Sequence, residues 1–361
     1  MCSVYNFAAG PAMLPKSVLL RAKDELLNWQ NTGVSIMEIG HRTPMFQNLL
    51  TQLEQKLRAL INIPQNYKVL FLAGGAQGQF SLIPMNLTKN NRNVDYIVSG
   101  IWSERAAKYA EKYAQVNIVT TANSRSIPNK ASWELNPDAA YVYYCDNETI
   151  NGIQLSEIPD TKNVPLVVDM TSSILAESID VTKFGLIFAS AQKNLGIAGI
   201  TLVIIRDDLL NEALDTVPMV FNYGRQVEQN SLLNTIPTVP VYMMDLMVDW
   251  IIEQGGVKAV AAGNHRKASQ LYACIDSSDG FYCNNVEADY RSQINIPFML
   301  PSEQLLHLFL TEAEQQGLKF LKGHKLVGGA RASLYNAMPE AGVTALVAFM
   351  RQFANRHLGE R

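Results

Sequence analysis

Six short apolar runs recur along the first two thirds of the chain, and they restrict the fold more than any other feature. They are residues 68–72 (Lys-Val-Leu-Phe-Leu), 95–98 (Asp-Tyr-Ile-Val), 141–145 (Tyr-Val-Tyr-Tyr-Cys), 164–169 (Val-Pro-Leu-Val-Val-Asp), 185–189 (Gly-Leu-Ile-Phe-Ala) and 200–205 (Ile-Thr-Leu-Val-Ile-Ile). A strand with one wet face alternates apolar and polar residues, whereas a near-continuous run of this length reads as a strand buried on both faces. A segment of helical periodicity, 46–60, precedes the first run, and a helical stretch of Ala, Lys, Glu and Tyr follows the second. Strands alternating with helices predict an α/β fold with a mostly parallel, doubly wound sheet. Such sheets bind their ligands outside the carboxyl ends of the strands.

Two of these runs deliver a polar group to that edge. The run 185–189 leads into Ser190-Ala191-Gln192-Lys193-Asn194-Leu195-Gly196, and the run 164–169 ends in Asp169. Lysine is rarely buried without a partner. Here small residues precede it and Gly196 and Gly199 follow, leaving room for a Schiff base with a bulky aldehyde. An amine opposite an aldehyde and a carboxylate opposite a pyridine nitrogen form the pairing that pyridoxal phosphate requires. Taken singly, each residue also has a plainer reading: Lys193 solvated in a strand-to-loop turn, Asp169 capping a helix or turn.

A chain of 361 residues suits a large domain with a smaller one. With 48% hydrophobic and 17% charged residues the composition is that of a globular protein, and a net charge of -3 offers no footprint for nucleic acid or an acidic membrane. Cys2, Cys145, Cys274 and Cys283 form no CxxC pair and have no metal-ligand spacing, so no metal is expected; they read as reduced thiols of a cytoplasmic protein. The amino terminus has no basic and then apolar segment, so no signal peptide is expected. Asp245 and Asp249 interrupt the apolar stretch 241–252, so no membrane span is expected either.

Residues 1–15 read as packed coil. Leu19, Leu20, Leu26 and Leu27 suggest an amphipathic helix closing near Gly33. His41-Arg42 falls on a loop ahead of Pro44. The run 68–72 leads into Ala73-Gly74-Gly75-Ala76-Gln77-Gly78, a glycine-rich turn before a helix start. Backbone N–H groups there suit one phosphate, although the spacing matches neither nucleotide-binding glycine motif. Trp102 follows another strand, as a stacking platform or a core residue. A polar loop, Asn234-Thr235-Ile236-Pro237-Thr238-Val239-Pro240, precedes an amphipathic helix over 241–254, and Gly255-Gly256 reads as a hinge into a second, smaller domain. The expected division is 16–256 for the large domain, with 257–361 and the amino-terminal 1–15 forming the small one.

Taken together, these segments resemble the phosphoserine aminotransferase family of fold-type I, class V pyridoxal phosphate enzymes along nearly the whole chain. The resemblance rests on Asn6-Phe7, Gly10-Pro11-Ala12, His41-Arg42, the loop 74–80, Asn147-Glu148-Thr149, Asp169 and Gln192-Lys193-Asn194. It continues through Asn234-Thr235 and Lys322-Gly323-His324 to Arg331-Ala332-Ser333-Leu334-Tyr335-Asn336-Ala337. It implies a large domain with a mostly parallel doubly wound sheet plus a smaller α+β carboxyl-terminal domain. It makes Lys193 the Schiff-base lysine and proton shuttle, Asp169 the pyridinium partner and Trp102 the stacking face. Thr149 would contact the ring hydroxyl. Ala76, Gln77 and Gln192 would hold the cofactor phosphate, and Asn234 and Thr235 would reach the phosphate of a neighbouring subunit, implying a homodimer with composite sites. Arg331 would clamp the substrate α-carboxylate, and His41, Arg42 and His324, with Lys325 beside it, would form the pocket for the distal anion.

The implied reaction moves the amino group of L-glutamate to 3-phosphohydroxypyruvate, giving O-phospho-L-serine and 2-oxoglutarate in serine biosynthesis. It extends to the phosphorylated four-carbon oxo acid of pyridoxine synthesis. Two residues depart from the bacterial pattern: Gln77 stands where arginine is expected, and Lys325 follows His324 where arginine is common. Both make the anion pocket less arginine-rich than the pattern implies. Three rivals remain: a serine–glyoxylate type of aminotransferase for an unphosphorylated oxo acid, a cysteine desulfurase, and a silent binding protein of the same fold. No cysteine lies in a Gly/Ser-rich loop, which disfavours the desulfurase. A silent fold would need none of Lys193, Asp169 and Arg331.

Overall fold

The computed structural model of the chain describes residues 4–357 and 359; Cys2 lies outside the described residues. At its centre is a seven-stranded sheet in the order Tyr67–Leu72, Thr201–Arg206, Leu186–Ser190, Leu166–Asp169, Val142–Cys145, Asn93–Val98 and Gln115–Thr121. The five strands from Leu186–Ser190 to Gln115–Thr121 pair in parallel. Thr201–Arg206 is antiparallel to both its neighbours, so six strands point one way and one opposes them. Alternate residues of each strand feed two different cores. Val142, Tyr144, Val168, Ile187 and Ile204 pack with the helices Pro44–Ile61 and Thr238–Glu253. Tyr141, Tyr143, Val167, Phe188 and Val203 pack with the helices Gly75–Leu87 and Ile101–Ala110. Both faces are covered, which is why the runs are continuously apolar.

Three local expectations change. The amino-terminal helix is Lys16–Glu25, ending well before Gly33; Val18 is its buried residue, while Leu19, Leu20 and Leu27 are exposed. The apolar-run criterion misses the edge strand Gln115–Thr121, because its residues are only half-buried or exposed and most of them are polar. The helix expected over 241–254 begins earlier, at Thr238, with Pro240 in its first turn, where a missing N–H removes no helical bond. Nor is that helix amphipathic: Val241 to Val248 are all buried. Its Asp245 is tolerated because Lys56 Nζ lies 2.8 Å from it and 2.6 Å from Asp249.

A further core gathers Phe7 with residues from 268 onward, from the helices Val257–Asp276, Glu303–Gln315 and Glu340–His357. The antiparallel pair Asn295–Phe298 and Ala330–Ser333 lies against them, and Tyr5–Asn6 pairs with Leu318–Lys319. Gly255 and Gly256, at φ +92° and +81°, close the helix Thr238–Glu253, the second donating to Ile251 O at 2.9 Å. Among the described residues no helix is long and apolar enough to cross a membrane.

Candidate active site

Asp169 is the last residue of its strand, paired with Cys145 on one side and Phe188 on the other. The next strand, Leu186–Ser190, ends at the same edge, and the chain then reverses into Thr201–Arg206 through the loop that carries Lys193. The two polar groups therefore meet at the carboxyl ends of adjacent parallel strands, as the sequence predicts. They line a cleft of about 200 Å³ together with Gly74, Gly75, Ala76, Gln77, Trp102, Thr149 and Gln192.

Lys193 is buried, and its Nζ donates to Thr149 Oγ1 at 2.6 Å; among the described residues it has no carboxylate within ion-pairing distance. The amino-terminal segment packs on its stem: a β-carbon on Gly10, at φ +139°, would come within 3.5 Å of Lys193 Cγ. Glycine is the residue that position accepts. Burial pushes the Asp169 carboxyl above its ordinary range, opposed by bonds from Thr171 and by the charge of Lys193. The Thr171 N–H donates to Asp169 Oδ1 at 2.8 Å, which fixes the carboxylate.

The glycine-rich turn enters the helix Gly75–Leu87 with Gly74 and Gly75 at φ +106° and +66°. No side chain caps this helix. Its first N–H groups therefore face the cleft without helical partners, on the positive end of the helix dipole. Beside it, Ser190 Oγ donates to Gln192 Oε1. Trp102 sits in the first turn of Ile101–Ala110, and that turn is held by Glu148. The Glu148 carboxylate accepts from the Trp102 N–H at 2.9 Å, the Ser103 N–H at 2.8 Å and Ser103 Oγ at 2.7 Å. A buried carboxylate, an amine bonded only to a hydroxyl, a flat indole and an uncapped helix end all line one cleft. This donor set fits pyridoxal phosphate: ring nitrogen to Asp169, aldehyde to Lys193, ring face to Trp102, phosphate to the helix end.

Arg331 adjoins the cleft. Its Nη1 donates to Thr149 O at 3.3 Å, and burial holds its pKa below the usual arginine range, with Tyr335 opposing. His324 is half-buried on the loop that leads into the strand of Arg331. Burial, and then the charges of Arg331, Arg105 and Lys325, hold its pKa below the ordinary histidine value. Arg331, Arg105 and Lys325 thus lie near enough to His324 for their charges to act on it. The remaining expected residues lie outside this cleft. Asn234 is half-buried and accepts from Gln226 Nε2 at 3.2 Å, and Thr235 is exposed. His41 and Arg42 lie on the turn before Pro44–Ile61; Arg42 is exposed, and His41 Nε2 is buried without a hydrogen-bond partner.

Two neighbours of Thr149 have roles that sequence reasoning did not assign. Glu148 is one. Asn147 is the other, its Nδ2 donating to Ser172 Oγ at 2.9 Å and to Asn295 Oδ1 at 2.8 Å. It joins the cleft floor to the strand Asn295–Phe298. Outside the segment 147–149, Arg105 on the helix Ile101–Ala110 was also unassigned, since a charged residue on a helix ordinarily reads as solvated.

Known proteins give the same picture. The model of the family described as aminotransferase class-V matches residues 4–346. The chain is 51% identical to a phosphoserine aminotransferase of Acinetobacter baylyi over 98% of this chain and 99% of the relative. Its fold superposes on the solved phosphoserine aminotransferase of Bacillus circulans subsp. alkalophilus with a TM-score of 0.96 at 43% identity, covering 98% and 99% of the two chains. It is also similar to a PLP-bound phosphoserine aminotransferase from Trichomonas vaginalis, with a TM-score of 0.93 at 40% identity and coverage of 97% and 100%.

Proposed function

The chain belongs to the class-V aminotransferase family, and on that premise we propose how its residues divide the work of a phosphoserine aminotransferase. The enzyme transfers the amino group of L-glutamate to 3-phosphohydroxypyruvate, yielding O-phospho-L-serine and 2-oxoglutarate, with pyridoxal 5′-phosphate as cofactor. One observation carries the assignment of roles: Lys193 Nζ and Arg331 Nη1 contact the same residue, Thr149, at 2.6 Å and 3.3 Å. The group that handles protons and the group that grips a carboxylate are held one residue apart.

Bound in the cleft, pyridoxal phosphate supplies an electrophilic aldehyde and a ring that takes up the electrons freed at the substrate Cα. Asp169 would keep a proton on the ring nitrogen. The N–H groups of Ala76 and Gln77 at the uncapped helix end, with the Gln192 side chain, hold the phosphate. Trp102 supplies a flat face for the ring and excludes water from it. Arg331 takes the α-carboxylate through two parallel N–H donors, which orients the Cα hydrogen towards Lys193. Lys193 Nζ would accept that proton and hold it for return, with Thr149 Oγ1 aiming the amine. His324, Lys325, His41 and Arg42 receive the distal anion, a phosphate in one half-reaction and a glutamate carboxylate in the other.

Because Asn234, Thr235, His41 and Arg42 lie outside this chain's own cleft, the proposal includes a homodimer in which they serve the partner's site. Exposed Leu19, Leu20, Leu27 and Met37 support an interface close to His41 and Arg42 in sequence. A domain boundary at Gly255-Gly256 is supported by the positive φ of both glycines and by a separate core that gathers Phe7 with residues from 268 onward. A cytoplasmic setting is supported by the free thiols Cys145, Cys274 and Cys283.

The test is kinetic. The holoenzyme is given glutamate with 3-phosphohydroxypyruvate, its unphosphorylated counterpart hydroxypyruvate, glyoxylate, and the phosphorylated four-carbon oxo acid. We expect kcat/KM for 3-phosphohydroxypyruvate to exceed that for hydroxypyruvate by at least about tenfold, or about 1.4 kcal/mol. Equal use of both, or a preference for glyoxylate, would overturn the phosphoserine reading.

A further inference from the structure

The helix Ile101–Ala110 presents one face to the cleft. Trp102, Arg105 and Tyr109 recur at spacings of three and four residues, so they lie along that face. Trp102 lines the cleft. The Arg105 guanidinium carbon sits 5.0 Å from the centre of the Trp102 ring. One turn on, Tyr109 OH donates to Gln77 Oε1 at 3.4 Å. This face therefore runs from the indole to the glycine-rich turn, beside the position where Gln77 stands in place of the expected arginine.

The surroundings of Arg105 are those of an anion receptor with no acid of its own. It is half-buried, and among the described residues no carboxylate pairs with it. The acid next to it, Glu104, is exposed, with Lys108 likewise exposed. The charges that act on His324 include Arg105 together with Arg331 and Lys325. Like charges gathered at the edge of a cleft repel unless an anion joins them, and the repulsion is stronger out of water. A monoanion leaves such a cluster undercompensated; a phosphate, with close to two negative charges, suits it better. Arginine also offers a planar fork matched to phosphate oxygens, and stacking on Trp102 orients that fork.

We propose that Arg105 is a specificity-determining residue that binds the substrate phosphate and supplies, from the helix, the guanidinium that Gln77 lacks. This deepens the phosphoserine reading and rests on it. Glu148 fixes the start of the same helix through three hydrogen bonds, so Arg105 is held in place before substrate arrives. The binding role is exerted on the phosphate and not on the reacting carbon, so it is expressed mainly in KM.

The experiment compares holoenzymes of the wild type, Arg105→Gln, Arg105→Lys and the double variant Arg105→Gln with Gln77→Arg. Each is assayed with 3-phosphohydroxypyruvate and with hydroxypyruvate at fixed pH and saturating glutamate. For Arg105→Gln we expect the ratio of the two kcat/KM values to fall by about tenfold to a hundredfold, chiefly through KM for the phosphorylated acid. Arg105→Lys should fall by less, and Gln77→Arg in the double variant should restore most of the ratio. If the wild type prefers the phosphorylated acid and Arg105→Gln keeps that ratio, with normal cofactor loading, this assignment is overturned while the phosphoserine reading stands. A fall confined to kcat, equal for both acids, overturns it as well. A wild type with no preference overturns the reading and this assignment together.

Discussion

Two buried lysines of the chain differ in what surrounds the amine. Lys267 Nζ donates to three backbone carbonyls, Leu334 O at 3.3 Å and Tyr335 O and Met338 O at 2.9 Å, and burial pushes its pKa down to about 7. It is satisfied in place and does not line the cleft of Lys193. Lys193 has one hydroxyl partner and a cavity in front of it. The small residues and glycines around Lys193 were legible as room for a cofactor, and Asp169 at a strand end was legible as its partner. Glu148 was not: its three bonds join positions 148 and 102–103, and no local pattern announces them. Those bonds are charge-assisted, each worth about 1.5–3 kcal/mol. Glu148→Gln keeps the shape but turns one acceptor into a donor aimed at N–H groups. We expect chemical denaturation to report a loss of about 2–3 kcal/mol and the cofactor dissociation constant to rise about tenfold, because Trp102 loses its anchor. Lost stability with unchanged cofactor affinity would mean that the cap does not position the indole.

At the level of elements, legibility followed burial. The strands Leu166–Asp169, Leu186–Ser190 and Thr201–Arg206 feed cores on both faces, so their apolar runs are unbroken. The edge strand Gln115–Thr121 has little such burial and carries no comparable signal. The helix Lys16–Glu25 misleads for the opposite reason, since its exposed leucines imitate an inward face. The loop 234–240 raises a question that belongs to this scale. If Asn234 and Thr235 serve the partner's cofactor, replacing both with Ala should inactivate the enzyme, as should Lys193→Ala. Each site of a mixed dimer takes Lys193 from one chain and the loop from the other, so one site carries both defects and the other carries none. Equal mixing should then restore about a quarter of the wild-type sites, by statistical pairing in a closed dimer. Verified heterodimers without activity would assign the loop to its own chain's cleft.

Across the whole molecule, a six-to-one strand arrangement brings Asp169, Lys193 and the uncapped end of Gly75–Leu87 to one edge of the sheet. Asn147, Asn295, Tyr335 and the Tyr335 OH to Ala9 O bond of 2.7 Å then tie that edge to the amino-terminal segment and the carboxyl-terminal core. Every role argued above depends on the cofactor aldehyde meeting Lys193 and no other amine. Reducing the pyridoxal phosphate-loaded protein with borohydride, digesting it and mapping the labelled peptide by mass spectrometry tests this directly. The label should lie on Lys193 and be absent from Lys193→Ala, whereas a label on Lys267 or another lysine, or none on a protein saturated with cofactor, would contradict the account.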